Sequence, residues 1–277
     1  MRMTLVLLAF SFLFAYNCMA SESDVLDKYL SSLPGDLQLK EDGPQSYKFT
    51  CDHLNINTQG DLIGKHRVYG EYTRALTEGK VRWKNVSIAR AVGFDDPFPE
   101  GEKQDYMEGF TYNPDSDSLK PEFFQGFPAT AIDARNLVWD TVMFEGFAWS
   151  YLDKLELNRT YYPSEAVGEF NLAGAGTFQN KQIELTWLGI SRMNEEPCAL
   201  IQYRAFLNKL NVSTEGFDIR GGSHYWGEIW VSLEDKQIEH ATLYENVVVE
   251  TKMPGQENWQ VGTVFRRGVF QKMIDEE

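Results

Sequence analysis

The sequence predicts an α+β protein that is predominantly antiparallel β: a strongly curved sheet or half-barrel with one buried helix and a short N-terminal helix. Three observations lead there. Apolar residues alternate with period two through most of the chain. One internal segment, 132–155, switches to helical spacing and is apolar around well over half its circumference, too wide for a surface helix. Aromatic residues make up 14% of the chain, which suits pleated, half-buried surfaces. The 277 residues are enough for a sizeable core, organised as a signal peptide over 1–20 and a single mostly-β domain over 21–277.

Arg2 and the apolar run Thr4 to Ala15, followed by the small residues Cys18 and Ala20, read as a secretory signal peptide cleaved near Ala20. The run is shorter than the ~20 apolar residues of a membrane span, and no later segment approaches that length. A lipid-bearing Cys18 is the competing reading, but Tyr16 and Asn17 stand where such sites carry small residues. Secreted or periplasmic export is the expectation.

Ser21 to Leu33 then shows helical spacing at Val25, Leu26, Tyr29, Leu30 and Leu33, stopped by Pro34-Gly35. From Tyr47 the period is two, and Glu78-Gly79 turns a hairpin whose second arm is Val81 to Val92. Residues 94–131 hold five of the ten prolines together with six phenylalanines, a mixture that predicts a long ordered loop stapled to the core by its rings. The helix over 132–155 follows, with Trp149 expected to be buried. Six strands are then expected, near 167–177, 181–193, 198–211, 223–233, 237–251 and 259–271. In element order this resembles the half-barrel folds of bacterial lipoprotein-carrier proteins, which cup a hydrophobic chain. The resemblance is in element order only and implies no site residue.

A formal net charge of −15, with no cluster of Lys or Arg, argues against nucleic acid and anionic membrane surfaces as partners. Export gives Cys51 and Cys198 two readings, a disulfide closing a long loop or two separate buried thiols. Sequons stand at Asn85, Asn158 and Asn211.

The segment with most chemistry is Ser223 to Trp230. On a strand His224, Trp226, Glu228 and Trp230 share one face. A two- or four-residue turn near Glu234-Asp235 would put Glu239, Ala241, Leu243 and Glu245 on that face and His240 on the other. His224, Trp226 and Trp230 are therefore the candidate ligand-binding residues. Glu228, with Glu239 or Glu245 as the second carboxylate, is the candidate catalytic pair of a carbohydrate-active hydrolase.

Other signals are weaker. Cys51 and His53 share a strand face, but nucleophile pairs are normally built from distant segments. Asn113 to Ser118 begins like a calcium loop yet has Ser118 where the loop needs glycine and Phe124 where it needs glutamate. Gly174-Ala175-Gly176 lacks a phosphate cradle's context and reads as a bulge or close backbone contact. No metal site and no cofactor are expected. The leading reading is a non-enzymatic exported protein that holds a hydrophobic small molecule or lipid. The alternatives are the hydrolase and an assembly protein that binds another exported protein.

Overall fold

A computed structural model describes Leu33 and residues 36–274. The leader and all of the expected N-terminal helix except Leu33 lie outside those residues.

Three long strands come first: β1 (Gln45–Asn57), β2 (Leu62–Arg74) and β3 (Val81–Ala91). Short strands β4 (Glu102–Lys103) and β5 (Thr111–Tyr112) lie in the loop before the helix α1 (Ile132–Trp149). After it come β6 (Thr160–Tyr161), β7 (Gly168–Asn171), β8 (Gly176–Asn180) and β9 (Gln182–Met193). The chain closes with β10 (Glu196–Ser213), β11 (Asp218–Ser232), β12 (Ile238–Lys252) and β13 (Gln260–Lys272).

All thirteen strands join one antiparallel sheet whose main path runs β4-β3-β2-β1-β13-β12-β11-β10-β8-β7, and the sheet is not closed. The first and last long strands meet in its middle, where Tyr47 pairs with Lys272 and Asn57 with Gly262. β10 is long enough to serve two neighbours. Its first part, Glu196 to Phe206, pairs with β9, and Lys209 to Val212 pairs with β8. A bulge at Phe206 and Leu207, where Leu207 takes a positive φ of 59°, marks the fork.

Two expected boundaries shift. The strand expected over 167–177 is a hairpin, β7 and β8, because Ala173 (φ 51°) and Gly174 (φ 81°) turn the chain back. Gly176 fills the role of close backbone contact, since a Cβ there would stand 2.0 Å from the Asn211 carbonyl oxygen. The helix ends at Trp149 rather than 155, and a short 3₁₀ turn, Leu152–Lys154, carries the chain onward.

The helix lies against the sheet, presenting Leu137, Val138, Thr141, Phe144 and Ala148, all buried. Phe144 meets Phe49, Tyr203 and Phe270, which belong to strands on both sides of the sheet's middle. In the loop that precedes it, Phe110, Phe123, Phe124 and Phe127 pack edge to face on one another, and Phe124 stands against Trp139 of the helix. Trp149 is half-buried rather than buried. Its ring lies 4.6 Å from the Arg74 guanidinium, and its Nε1 donates to the Lys236 carbonyl at 2.8 Å. Among the described residues no helix is long and apolar enough to cross a membrane.

Cys51 and Cys198 are separate free thiols, both buried, not a bridge. Cys51 is on β1 and Cys198 on β10, with β13, β12 and β11 between them. Strands are spaced about 4.8 Å apart, whereas bridged Cα atoms stand no more than about 7 Å apart. Burial pushes each thiol up to about 12. Both should therefore resist a maleimide or Ellman's reagent in the native protein and react together once urea unfolds it. One fast-reacting thiol in the native state would show that its strand is open to solvent.

Candidate functional site

Antiparallel pairing aligns inward-facing side chains in rows across the sheet, and successive rows differ in character. One row reads Gly70, Phe49, Phe270, Ala241, Ile229, Ile201 and Trp187 from β2 to β9, and all of it is buried. Four residues further along β1 the row reads His66, His53, Arg266, Glu245, Tyr225, Ala205 and Ile183. The next holds Asn55, Val264, Val247, Ser223 and Asn208, and the one after it Gly262, Val249, Gly221, Leu210 and Phe178. Three rings and two isoleucines dominate the first row. Glycine, serine and valine dominate the last two, so the space under the sheet stays open there.

That space is a cavity of about 650 Å³ between α1 and the sheet. Its walls are aliphatic and aromatic, from Val247, Val249, Val264, Leu210, Ile219 and Phe178 of the strands. A second stripe of the helix, Asn136, Trp139, Asp140, Met143 and Gly146, lines the opposite side. Spacings of three and four put these on one helical face, distinct from the face that meets the core. The apolar breadth of α1 thus has two causes, a core on one side and a cavity on the other.

The row of charged residues forms the polar end of the cavity. Arg266 is buried, and each of its three nitrogens is engaged. Nη1 donates to Glu245 at 2.5 Å, Nη2 to Asp140 of the helix, and Nε to His53 Nε2 at 3.2 Å. The His53 and His66 rings stack at 4.2 Å with 8° between their planes, and His66 Nε2 lies 3.4 Å from Asp133 at the start of α1. Burial, Arg266 and His66 all hold His53 well below the ordinary histidine range, so it is neutral. Burial lifts the Asp140 carboxyl to about 6 against the opposing pull of Arg266, with Glu245 adding to the rise.

A similar clamp sits further along the helix. Arg74 of β2 donates to Glu145 at 2.7 Å and to Glu41 at 2.9 Å, and Tyr72 donates to Glu145 at 2.9 Å. Asp133, Asp140 and Glu145 are the only acidic residues of α1, and each faces a basic residue of the sheet.

The residues singled out in the sequence lie elsewhere. A bulge between Trp230 and Val231 reverses the expected parity of the β11–β12 pair, so Trp230 stands opposite His240 and Trp226 opposite Tyr244. His240 therefore shares the face of His224, while Glu239, Ala241, Leu243 and Glu245 point to the other side. His224, Trp226, Glu228 and Trp230 occupy the outer face. Trp226 stacks on Tyr244 at 6.0 Å, Trp230 meets His240 edge-on at 5.1 Å, and His224 Nδ1 accepts the Leu207 amide at 3.2 Å. Glu228 and Glu239 do not form a pair, because they project from opposite faces of the sheet. Cys51 and His53 share the inner face as expected, but a thiol raised to about 12 offers no nucleophile at neutral pH.

Two groups among the described residues bring three ligating atoms within 4.8 Å of one another. In Glu196, Asp235 and Glu239 the place of a cation is taken by Lys272, whose Nζ is 2.5 Å from Glu239, 3.8 Å from Asp235 and 3.9 Å from Glu196. In His53, His66 and Asp133 the two rings stack in parallel, and Arg266 already donates to His53 Nε2 at 3.2 Å. Neither arrangement is a ready metal centre.

No protein-family model matches the chain, and no curated protein matches it. Among solved structures, a DUF1329 family protein from Desulfovibrio piger is similar over 85% of this chain and 89% of that one, at 6% identity and a TM-score of 0.17. So weak a likeness assigns nothing, and function is argued from the site.

Two outcomes follow from the charged row. Arg266→Ala leaves two buried carboxylates unmatched and should cost about 3–5 kcal/mol, read as a fall in the urea midpoint. A loss below about 1 kcal/mol would mean that water already reaches these charges. The second outcome concerns pH. His53 is neutral in the fold and protonated in the unfolded chain, so its contribution is lost as pH falls below about 6.5. Asp140 works the other way, because the folded carboxyl takes up its proton near 6 and the unfolded one only near 3.8. Asp140→Asn should steepen the loss of stability between about pH 6 and pH 4. An unchanged slope would mean that Asp140 titrates like a surface carboxylate.

Proposed function

We propose that the protein is an exported, non-enzymatic binding protein that holds a hydrophobic or amphipathic ligand in the cavity between α1 and the curved sheet. The observation that carries this reading is the cavity itself. Its volume of about 650 Å³ lies within the usual range of small-molecule sites, its walls are largely apolar, and the Arg266 group with Asp140, Glu245 and His53 gives it one charged end. A ligand with an apolar body and a single polar head matches that division. Export rests on the leader read from residues 1–20.

Among the described residues the carboxylate pair expected of the hydrolase is not assembled, which favours the binding reading. Glu228 has no carboxylate partner on its own face from β12, and Asp140 and Glu245 are both tied to Arg266.

Nile red, a neutral apolar dye, should bind the full chain at one site with a blue-shifted, enhanced emission. Val264→Trp, which puts an indole into the cavity, should abolish that binding while far-ultraviolet circular dichroism and the urea midpoint hold. Equal dye binding by wild type and Val264→Trp would place the dye outside the cavity and remove the basis of the reading.

A further inference from the structure

The polar end of the cavity has a sign. Five carboxylates line the cavity, from Asp117, Asp133, Asp140, Glu165 and Glu245, against one guanidinium and two imidazoles. The guanidinium keeps one N–H on each of Nη1 and Nη2 outside those bonds, but its single charge is outnumbered by the two carboxylates it touches. His53 is neutral. An anionic head would therefore meet a buried group in which two carboxylates face one guanidinium, and the apolar surroundings strengthen the repulsion. A cationic head meets the reverse situation. Arg266 binds Oδ2 of Asp140 and Oε2 of Glu245, which leaves Oδ1 and Oε1 outside those bonds as acceptors for an N–H donor. The chain as a whole, at −15, draws cations towards its surface.

We propose that the cavity selects amphiphiles with a cationic, alkylammonium head over those with a carboxylate or another anionic head. This rests on the binding function proposed above and adds the chemistry of the head. The apolar tail lies among Val247, Val249, Val264 and Leu210, and the ammonium reaches the row of Glu245 and Asp140.

The test is displacement of Nile red from the full chain by dodecylammonium, dodecanol and dodecanoate, which share a tail and differ in head charge. At pH 7.5 and low salt, dodecylammonium should displace the dye at a concentration at least about tenfold below that of dodecanoate, with dodecanol between them. Glu245→Gln is liable to disturb folding, so the charge is changed instead at Asp117 and Glu165, two exposed carboxylates of the lining that lie outside the Arg266 group and pair with Lys120 and Lys154. Asp117→Asn combined with Glu165→Gln should narrow the gap by about threefold or more with no change in dodecanol binding. Equal or tighter binding of dodecanoate, or a gap unaffected by the double substitution, overturns the head-group selection and leaves the cavity reading standing. Failure of the dye and of all three ligands to bind overturns the cavity reading, and the selection with it.

Discussion

A guanidinium can remain charged inside a protein only where protein groups replace the water it has lost, and most of this fold is arranged around doing so for Arg266. Its partners come from three directions: His53 on the neighbouring strand β1, Glu245 on the opposite neighbour β12, and Asp140 on the helix. Those bonds exist only if β1, β12 and β13 are paired in one register and α1 is set at one height and one rotation. Hydrophobic contact alone would let an apolar helix slide along an apolar sheet at little cost. The Arg266 group, together with Arg74 and Glu145 further along, removes that freedom. The same group forms the boundary between a packed core and an open cavity.

The outer and inner faces of β11 and β12 show how one residue governs such an arrangement. Were the strands to continue from the turn without the bulge at Trp230 and Val231, Glu245 would point outward and Arg266 would face an incomplete set of partners. The turn itself is fixed by short local bonds. Ser232 Oγ accepts the amides of Glu234 and Asp235, and Asp235 accepts the amide of Gln237.

Much of the fold was legible in the sequence, because period is a local property. Most ends of the later strands fall within two residues of the expected ones, the exceptions being the helix end at Trp149, the start of β11 at Asp218 and the hairpin at 172–175, where a left-handed Ala173 gave no compositional sign. The site was not legible in the same way. Its members, His53, His66, Asp133, Asp140, Glu245 and Arg266, come from five elements, and only pairing across the sheet brings them together. Two signals were nonetheless present. Arg266 occupies an inward position in the alternation Val264, Gly268, Phe270, and Asp140 interrupts the apolar stretch of α1 between Val138 and Val142. A charge at a position that period assigns to the interior has to be matched there. The tryptophans of β11 drew notice by type, yet parity, which a bulge can reverse, decided which side they faced.

The fork in β10 divides the sheet into parts of unequal strength. The hairpin β7–β8 is joined to the main path through four residue pairs, Lys209 to Val212 against Gly176 to Gln179, whereas β11 accompanies β10 along nearly its whole length. Releasing those four pairs leaves the bonds of Arg266 itself in place and costs its row only the contacts of Tyr225 with Asn180 and Phe178. Free energies of local opening scale with what must be broken, so this hairpin belongs to the least protected part of the sheet in hydrogen exchange. Phe170, Leu172 and Phe178 of the same hairpin line the cavity. This short seam of the sheet and the wall of the cavity are thus one structure, and the rate at which that seam parts sets an upper limit on exchange through that wall.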